Sequence, residues 1–452
     1  MTTTNTVRAI TPYYWQGAWV DEAETERRLN DIGRIEPELP QPLEVSNVLA
    51  ACGRLASLLA DRTSSERAML RDDLMDPLTT GLPATEADVA LAGLARALDP
   101  ASLSTQLVAE LGTVNPAEPV PVPGVAGAME LWQPMGTLVH VAPSNVAVAG
   151  VLSAVEGLLA GNLNVVKTSS SESLFTHRAL ALLAAADPSG QIRDRVIVLR
   201  FSSHDPDWLR LLCRLADAVT VWGTEEAVAG VTRHVPPGCP VIEWGPKISL
   251  AYLDRTAAVT PPRLRGLACD ILRNGQRSCT SPQIVYADTS DEHCLFNAAD
   301  ALAAALAEES VVIPALAPST AEQAEITNIV TVARLEEHMG LTRTVSASDG
   351  RWHVLADIRA GVSVSPLFGT VWVKPLPRED IVRVLHPMRR YLQTVGLAAA
   401  PDQSLPLSRA FFRAGALRIT SLGGMLDSYP GEPHDGRSAL RSYSRRVVIR
   451  ST

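Results

Sequence analysis

The stretch RNGQRSCTSPQIV (Arg273–Val285) sets a cysteine, Cys279, between a helix-like segment and a strand-like one. Upstream, Thr260 suits a helix N-cap and Pro261 the first helical position. Leu264, Leu267, Ala268, Ile271 and Leu272 then recur on one helical face until Asn274 and Gly275 end the pattern. Downstream, Ile284, Val285 and Tyr286 are strand formers that follow Pro282. Cys279 therefore falls in a polar turn, among Gln276, Arg277, Ser278, Thr280 and Ser281. A thiol in such a turn meets backbone N–H groups and a nearby cation, surroundings that favour a nucleophilic thiolate. The same turn also suits an ordinary small residue.

Around this stretch the chain is long enough, at 452 residues, for two or three domains with a sizeable core. Hydrophobic residues at 46% and charged residues at 20% suit a globular chain and argue against extensive disorder. A net charge of −9 gives no support for a nucleic-acid partner. The six cysteines are scattered, without a CxxC pair or a histidine cluster at metal spacing. They read as reduced thiols of a cytoplasmic protein with no metal site. The N-terminal MTTTNTVRAITPYYWQGAW lacks the pattern of a secretory signal. The longest uncharged run, Leu131–Val155, carries Pro134, Gly136, His140, Pro143 and Asn145, so no membrane insertion is expected.

In chain order, residues 1 to about 45 read as irregular and Pro-containing, and 45 to about 112 as helical. NPAEPVPVPGVAG (Asn115–Gly127) is Pro-rich and reads as extended, a segment that lies on the surface or crosses between lobes. Strand and helix then alternate. Strands are predicted over Met135–Val141, Asn164–Lys167, Val196–Arg200 and Ala218–Trp222, with helices between them. This reads as a parallel sheet covered on both faces, which binds nucleotides at the carboxyl ends of its strands. A second lobe runs from Trp244 to about Thr394, and Ser442–Ile449 is a terminal strand suited to tying protomers together. The resulting division is 1–243, with 115–134 as the crossing segment, then 244–395 with the cysteine, then 396–452.

Four further stretches suit one chemistry. PMGTLVHVAPSN (Pro134–Asn145) ends a strand in a turn with an amide donor, Asn145, which also suits a plain helix cap. NVVKTSSSES (Asn164–Ser173) delivers Lys167 and then hydroxyls, of which Ser170 suits ribose or phosphate oxygens; a solvated strand end and a flexible turn are the plainer alternatives. In VWGTEEAV (Val221–Val228), Gly223 lets backbone approach a ligand and Thr224 caps a helix whose N-terminus suits pyrophosphate, or the glycine simply makes a tight turn. In VIEWGPK (Val241–Lys247), Glu243 stands where burial would ready a carboxylate for proton transfer; the alternative is a surface carboxylate paired with Lys247. No GxGxxG, Walker loop or GxSxG is present.

Together these stretches resemble the aldehyde dehydrogenase superfamily in order and spacing. Within it, QRSCTSPQ (Gln276–Gln283), LQTVGL (Leu392–Leu397) and the late PHDGRS are similar to the LuxC-type acyl-CoA reductases. The resemblance covers roughly residues 45 to 445. It implies an α/β, aldehyde-dehydrogenase-like fold: a Rossmann-like cofactor domain, an α/β catalytic domain and a small oligomerisation element. It implies reduction of an acyl thioester to the aldehyde through a cysteine acyl-enzyme on Cys279. Asn145 and the Cys279 backbone N–H would stabilise the oxyanion, about 3 kcal/mol per well-placed donor, and Glu243 would relay protons. Ser144, Lys167, Ser169, Ser170, Gly223, Thr224 and Phe368 would hold the cofactor. Where NAD-preferring members place a glutamate, this chain has Ser170, which does not repel a 2′-phosphate, so NADPH is expected ahead of NADH. The family's ELGGK is EWGPK here, and the glutamate of its EIFGPV is Pro366. The implied partners are acyl-CoA or an acyl group on a carrier protein, and the implied state is a homodimer or higher homo-oligomer. Arg378, Arg383, Arg389 and Arg390 suit either an acidic carrier or a solvated helix face. Oxidation of an aldehyde to an acid is the rival activity.

Overall fold

The computed structural model describes residues 13–31, 42–143, 146–202, 206–256 and 259–450. These form two compact units. The first takes the described residues of Met1–Thr80, Ala87–Gly245 and Tyr429–Thr452, and the second takes those of Gly81–Glu86 and Pro246–Ser428.

The strands of the first unit begin with a hairpin, β1 (Tyr13–Trp15) and β2 (Ala18–Val20). They continue with β3 (Val120–Pro121), β4 (Ala128–Pro134), β5 (Thr137–Val141), β6 (Leu163–Ser169), β7 (Val196–Phe201), β8 (Ala218–Trp222) and β9 (Val241–Trp244). The main sheet has the order β2-β1-β7-β6-β5-β8-β9. From β7 to β9 all its pairings are parallel. The reason lies in composition: Val139, Val165, Ile197, Leu199 and Val219 are buried in near-continuous apolar runs, as a sheet covered on both faces requires. Helix Pro206–Leu215 buries Trp208, Leu209, Leu212 and Cys213 on one stripe against this core. The hairpin corrects the expectation of irregular chain before residue 45. Gln16 and Gly17 both have positive φ (45° and 92°), the geometry of a two-residue hairpin turn, and β1 adds antiparallel to β7 with Trp15 buried.

The four helices Val45–Ala60, Ser65–Met75, Ala84–Ala97 and Pro100–Leu111 form within the region predicted helical. The Pro-rich segment, expected to be extended, is so only at Val120–Pro121 and otherwise runs through turns; that strand, β3, joins a small antiparallel sheet in which β4 also pairs with the terminal strand Ser444–Arg450. That strand follows Tyr443, a fully buried side chain. Its hydroxyl meets Ser153 Oγ at 3.1 Å and Thr220 Oγ1 at 3.3 Å, and its carbonyl accepts from Asn162 Nδ2 at 2.9 Å.

The second unit holds β10 (Ile248–Leu253), β11 (Pro282–Ala287), β12 (Thr342–Ser346), β13 (His353–Asp357), β14 (Thr370–Pro375), β15 (Leu392–Ala398) and β16 (Arg418–Thr420). Their order is β12-β13-β14-β11-β10-β15-β16, parallel except for β12. Helices Pro261–Leu272 and Glu292–Glu309 cover one face through Leu267, Ile271, Leu302 and Leu306. Helix Pro401–Ala414 covers the other through Leu407 and Phe411. Among the described residues no helix is long and apolar enough to cross a membrane.

Candidate active site

In the first unit the candidate cofactor residues gather on the carboxyl edge of the main sheet. The chain enters that sheet's parallel part at β5, builds outward to β6 and β7, then returns to β8 on the other side of β5. Ligands of open α/β sheets lie where the strand order reverses in this way. Lys167 stands near the end of β6 and is 3% exposed, not the solvated strand end of the plainer reading. Its ammonium lies 5.3 Å from the Phe201 ring centroid. Burial pushes its pKa down to about 8, against the opposing charge of Glu172. Glu172 is buried in the following turn, where desolvation pushes it up to about 7 despite a hydrogen bond from Thr176 Oγ1 at 2.6 Å. Ser169 is partly exposed and bonds to Ser171 Oγ at 2.8 Å, while Ser170 is exposed and its carbonyl accepts from Arg200 at 2.8 Å. Glu172 Oε2 and Arg200 Nε have no hydrogen-bond partner among the described residues. A ligand carrying ribose hydroxyls and phosphates suits that set of donors and acceptors.

After β8, Gly223 has φ +151°, and a Cβ there would stand 3.1 Å from that of Ala227. Thr224 caps helix Glu225–Thr232, its hydroxyl accepting from Ala227 N at 3.3 Å. Glu225 and Glu226 occupy the first turn and already complement the helix dipole, which weakens this N-terminus as a pyrophosphate site. Glu243 corrects an expectation: it is exposed, because β9 alternates and turns Ile242 and Trp244 inward. The burial that would have readied it for proton transfer is absent. Asn145 and Ser144 lie outside the described residues.

In the second unit the cysteine stretch lies at the amino end of β11. Asn274, Gly275 and Gln276 form a left-handed run with φ of 52°, 58° and 63°. Two of the three are not glycine, so the loop stores strain of about 1–3 kcal/mol at each. It is fixed from several sides. Phe368 N, itself in a turn with φ +51°, donates to Gly275 O at 3.0 Å, and Gln276 Nε2 donates to Pro282 O at 2.7 Å. Phe368 is buried beside Gly275, a support for the loop. Cys279 is partly exposed. Its carbonyl accepts from Ser249 Oγ at 2.7 Å, and Gln393 Nε2 donates to its sulfur at 3.4 Å. In the same stretch and in the residue after Gln393, the buried side-chain atoms Gln276 Oε1, Arg277 Nε, Ser281 Oγ and Thr394 Oγ1 have no hydrogen-bond partner among the described residues.

Sequence reasoning missed Ser249 and the chemistry of Gln393. The LQTVGL run had marked Gln393 only as part of a resemblance. It also missed an aromatic cluster in the first unit, where Trp222 and Trp244 stack at 5.2 Å and His434, of the PHDGRS run, lies 5.2 and 5.1 Å from them. Of the arginines considered for an acidic partner, Arg378 is drawn into a buried cluster with Asp254 and Asp288, and Arg383 pairs with Asp380 at 3.0 Å. The solvated-face reading suits Arg383, whose side chain is largely exposed.

Two parallel-sheet units, one with a phosphate-suited carboxyl edge and one with a strained cysteine loop, define the aldehyde dehydrogenase fold. Solved structures agree. A NAD-dependent benzaldehyde dehydrogenase from Corynebacterium glutamicum superposes on 99% of this chain and 98% of its own, with a TM-score of 0.69 at 13% identity. An Escherichia coli NADP dependent enzyme covers 97% of each chain, with a TM-score of 0.74 at 14% identity. At these identities the likeness is one of fold. Within that fold, the chain belongs to the acyl-CoA reductase (LuxC) family, whose model matches residues 41–446. The long-chain acyl-protein thioester reductase of Vibrio harveyi is 26% identical over 320 residues, 70% of this chain. The match spans 64% of that relative's length, a little under two thirds.

Proposed function

We propose that this protein reduces an acyl thioester to the aldehyde, with Cys279 as nucleophile. The observation that carries the reading is the cysteine loop: a strained turn, tied through both the carbonyl and the sulfur of Cys279, whose buried Gln276 Oε1, Arg277 Nε and Ser281 Oγ have no hydrogen-bond partner among the described residues. The Cys279 thiolate attacks the acyl carbonyl and expels the carrier thiolate, which takes up a proton. This leaves the acyl group on sulfur. One thioester replaces another, so the step is nearly balanced in energy, which a free carboxylate would not offer. The acyl group on Cys279 would become a thiohemiacetal on taking up a hydride, the chemistry that a nicotinamide cofactor would supply when bound. Collapse of that adduct breaks the C–S bond, releases the aldehyde and returns the thiolate. Asn145 and the Cys279 N–H serve the oxyanion, and Glu243, exposed to water, relays protons.

Ser144, Lys167, Ser169, Ser170, Gly223, Thr224 and Phe368 hold the cofactor in this reading, and Phe368 also braces the cysteine loop. NADPH is favoured over NADH because position 170 carries no carboxylate and the Arg200 guanidinium lies on the Ser170 carbonyl, a cation suited to a 2′-phosphate. A protein-bound acyl group is a second reading for the thioester, favoured by the name of the Vibrio harveyi relative. The cytoplasm and a homo-oligomer tied by the terminal strand complete the proposal.

The test follows NADPH oxidation with a panel of acyl-CoAs and acyl-loaded carrier protein, comparing the intact chain with Cys279→Ala. Aldehyde release that needs Cys279 is expected. Turnover that survives the alanine change would sink the covalent route, and activity confined to the carrier would move the substrate to the second reading.

A further inference from the structure

The two runs that carry the family resemblance, QRSCTSPQ and LQTVGL, meet at one atom. Gln393, the second residue of β15, is 4% exposed and directs its side-chain amide N–H to the Cys279 sulfur at 3.4 Å. An N–H donor on sulfur bonds more strongly to the thiolate than to the neutral thiol, because a donor to an ionised acceptor makes a charge-assisted bond. The amide therefore favours the nucleophilic form.

The backbone shows how this aim is held. β10 pairs in parallel with both β11 and β15, and in each ladder the register shifts next to Ser249. An irregularity of this kind re-aims a side chain. The fully buried Ser249 hydroxyl donates to Cys279 O at 2.7 Å and accepts from Thr394 N at 3.2 Å. One hydroxyl thus locks the cysteine carbonyl to the residue after Gln393, which sets sulfur and amide at a fixed separation. The neighbouring Thr394 hydroxyl, also buried, has no hydrogen-bond partner among the described residues.

We infer that Gln393 is a catalytic residue of this centre, the neutral donor that holds the Cys279 thiolate before attack and receives it again as the leaving group of the thiohemiacetal. The inference deepens the proposed thioester reduction and rests on Cys279 being its nucleophile. A neutral amide suits this task. An amide favours ionisation, and it lowers the intrinsic nucleophilicity of the sulfur less than a stronger donor would. No proton crosses the Gln393–Cys279 contact: attack forms the C–S bond from the sulfur lone pair, and collapse returns that pair to sulfur.

The experiment measures iodoacetamide alkylation of Cys279 in the full chain from pH 5.5 to 9.5, read on the Cys279 peptide by mass spectrometry. No substrate or cofactor is needed. In Gln393→Glu the volume is kept and the donor replaced by an acceptor; Gln393→Ala removes the group; circular dichroism and the melting curve check folding of both. The expected result is a reactivity midpoint about one pH unit higher in each variant, equal to about tenfold less thiolate at a fixed pH below it. The glutamate variant moves further, since its carboxylate repels the thiolate. Midpoints within 0.3 unit of the unchanged protein in folded variants, a bound of about twofold in thiolate, would overturn the inference even if thioester reduction is found. A shifted midpoint in a protein that reduces no thioester would instead uphold the Gln393 contact and remove the proposed function.

Discussion

Lys167 gives the proposed cofactor site its own pH signature. Its pKa, pushed down to about 8 by burial, means that about nine-tenths of the side chain is charged at pH 7 and about one-tenth at pH 9. If the ammonium is what receives the cofactor's anionic oxygens, the apparent Kd for NADPH scales as one plus the ratio of neutral to charged lysine. It then rises about tenfold between pH 7 and pH 9. The ordinary lysine value near 10.4 would leave it flat over that range. Glu172 adds a second arm. Its charge holds the Lys167 value up, so Glu172→Gln lowers the midpoint below 8. Lys167→Met keeps the volume and removes the charge, and its Kd is weak and flat. The assay is NADPH titration by quenching of tryptophan fluorescence at constant ionic strength. A Kd constant from pH 7 to 9 in the unchanged protein, or a tenfold rise that persists in Lys167→Met, would refute the reasoning.

Three further outcomes follow from single contacts. Gly275→Ala meets Leu316 Cδ2 at 2.9 Å at a position with φ +58°, so a loss of about 1–3 kcal/mol is expected in urea unfolding, with slower Cys279 alkylation. Asp288 is buried, which alone would raise its pKa; hydrogen bonds from Arg255 and Arg378 instead hold it well below the usual carboxylate range. That stability is present above the unfolded value and lost as pH falls through the folded one. Asp288→Asn leaves the two arginines under-paired and costs about 2–3 kcal/mol at pH 7, discounted because both arginines are partly exposed. Glu156, pushed up to about 8 by burial and by Glu110, shares the Gln106 amide with that residue. Its raised value gives stability that is complete below about pH 4.5 and lost as pH rises through 8. Melting temperature therefore falls between pH 7 and 9, and Glu156→Gln flattens the fall; an equal slope in both proteins would contradict it.

Much of the secondary structure was legible because it rests on local patterns. Thr260, Pro261 and the apolar spacing to Leu272 mark a helix that forms as Pro261–Leu272, and the apolar run around Val165 marks β6. The hairpin at Tyr13 was not, since its aromatic residues become a strand only by adding to β7, far away in the chain. Of the candidate site, side-chain identity was readable and environment was not. Lys167 and Glu243 both follow apolar residues, yet one is buried and the other exposed. β6 lies inside the sheet, while β9 is its edge strand and alternates.

The amino-acid sequence by itself determined the alternation of strands and helices, the cysteine turn and the family, because periodicity, turn chemistry and motif order are local or simply ordered along the chain. Only the tertiary structure decided what touches the sulfur. Gln393 reaches Cys279 across 114 positions because β10 lies between β11 and β15 and its Ser249 irregularity sets the separation. Strand order is a property of packing two covered faces, and no local pattern encodes it.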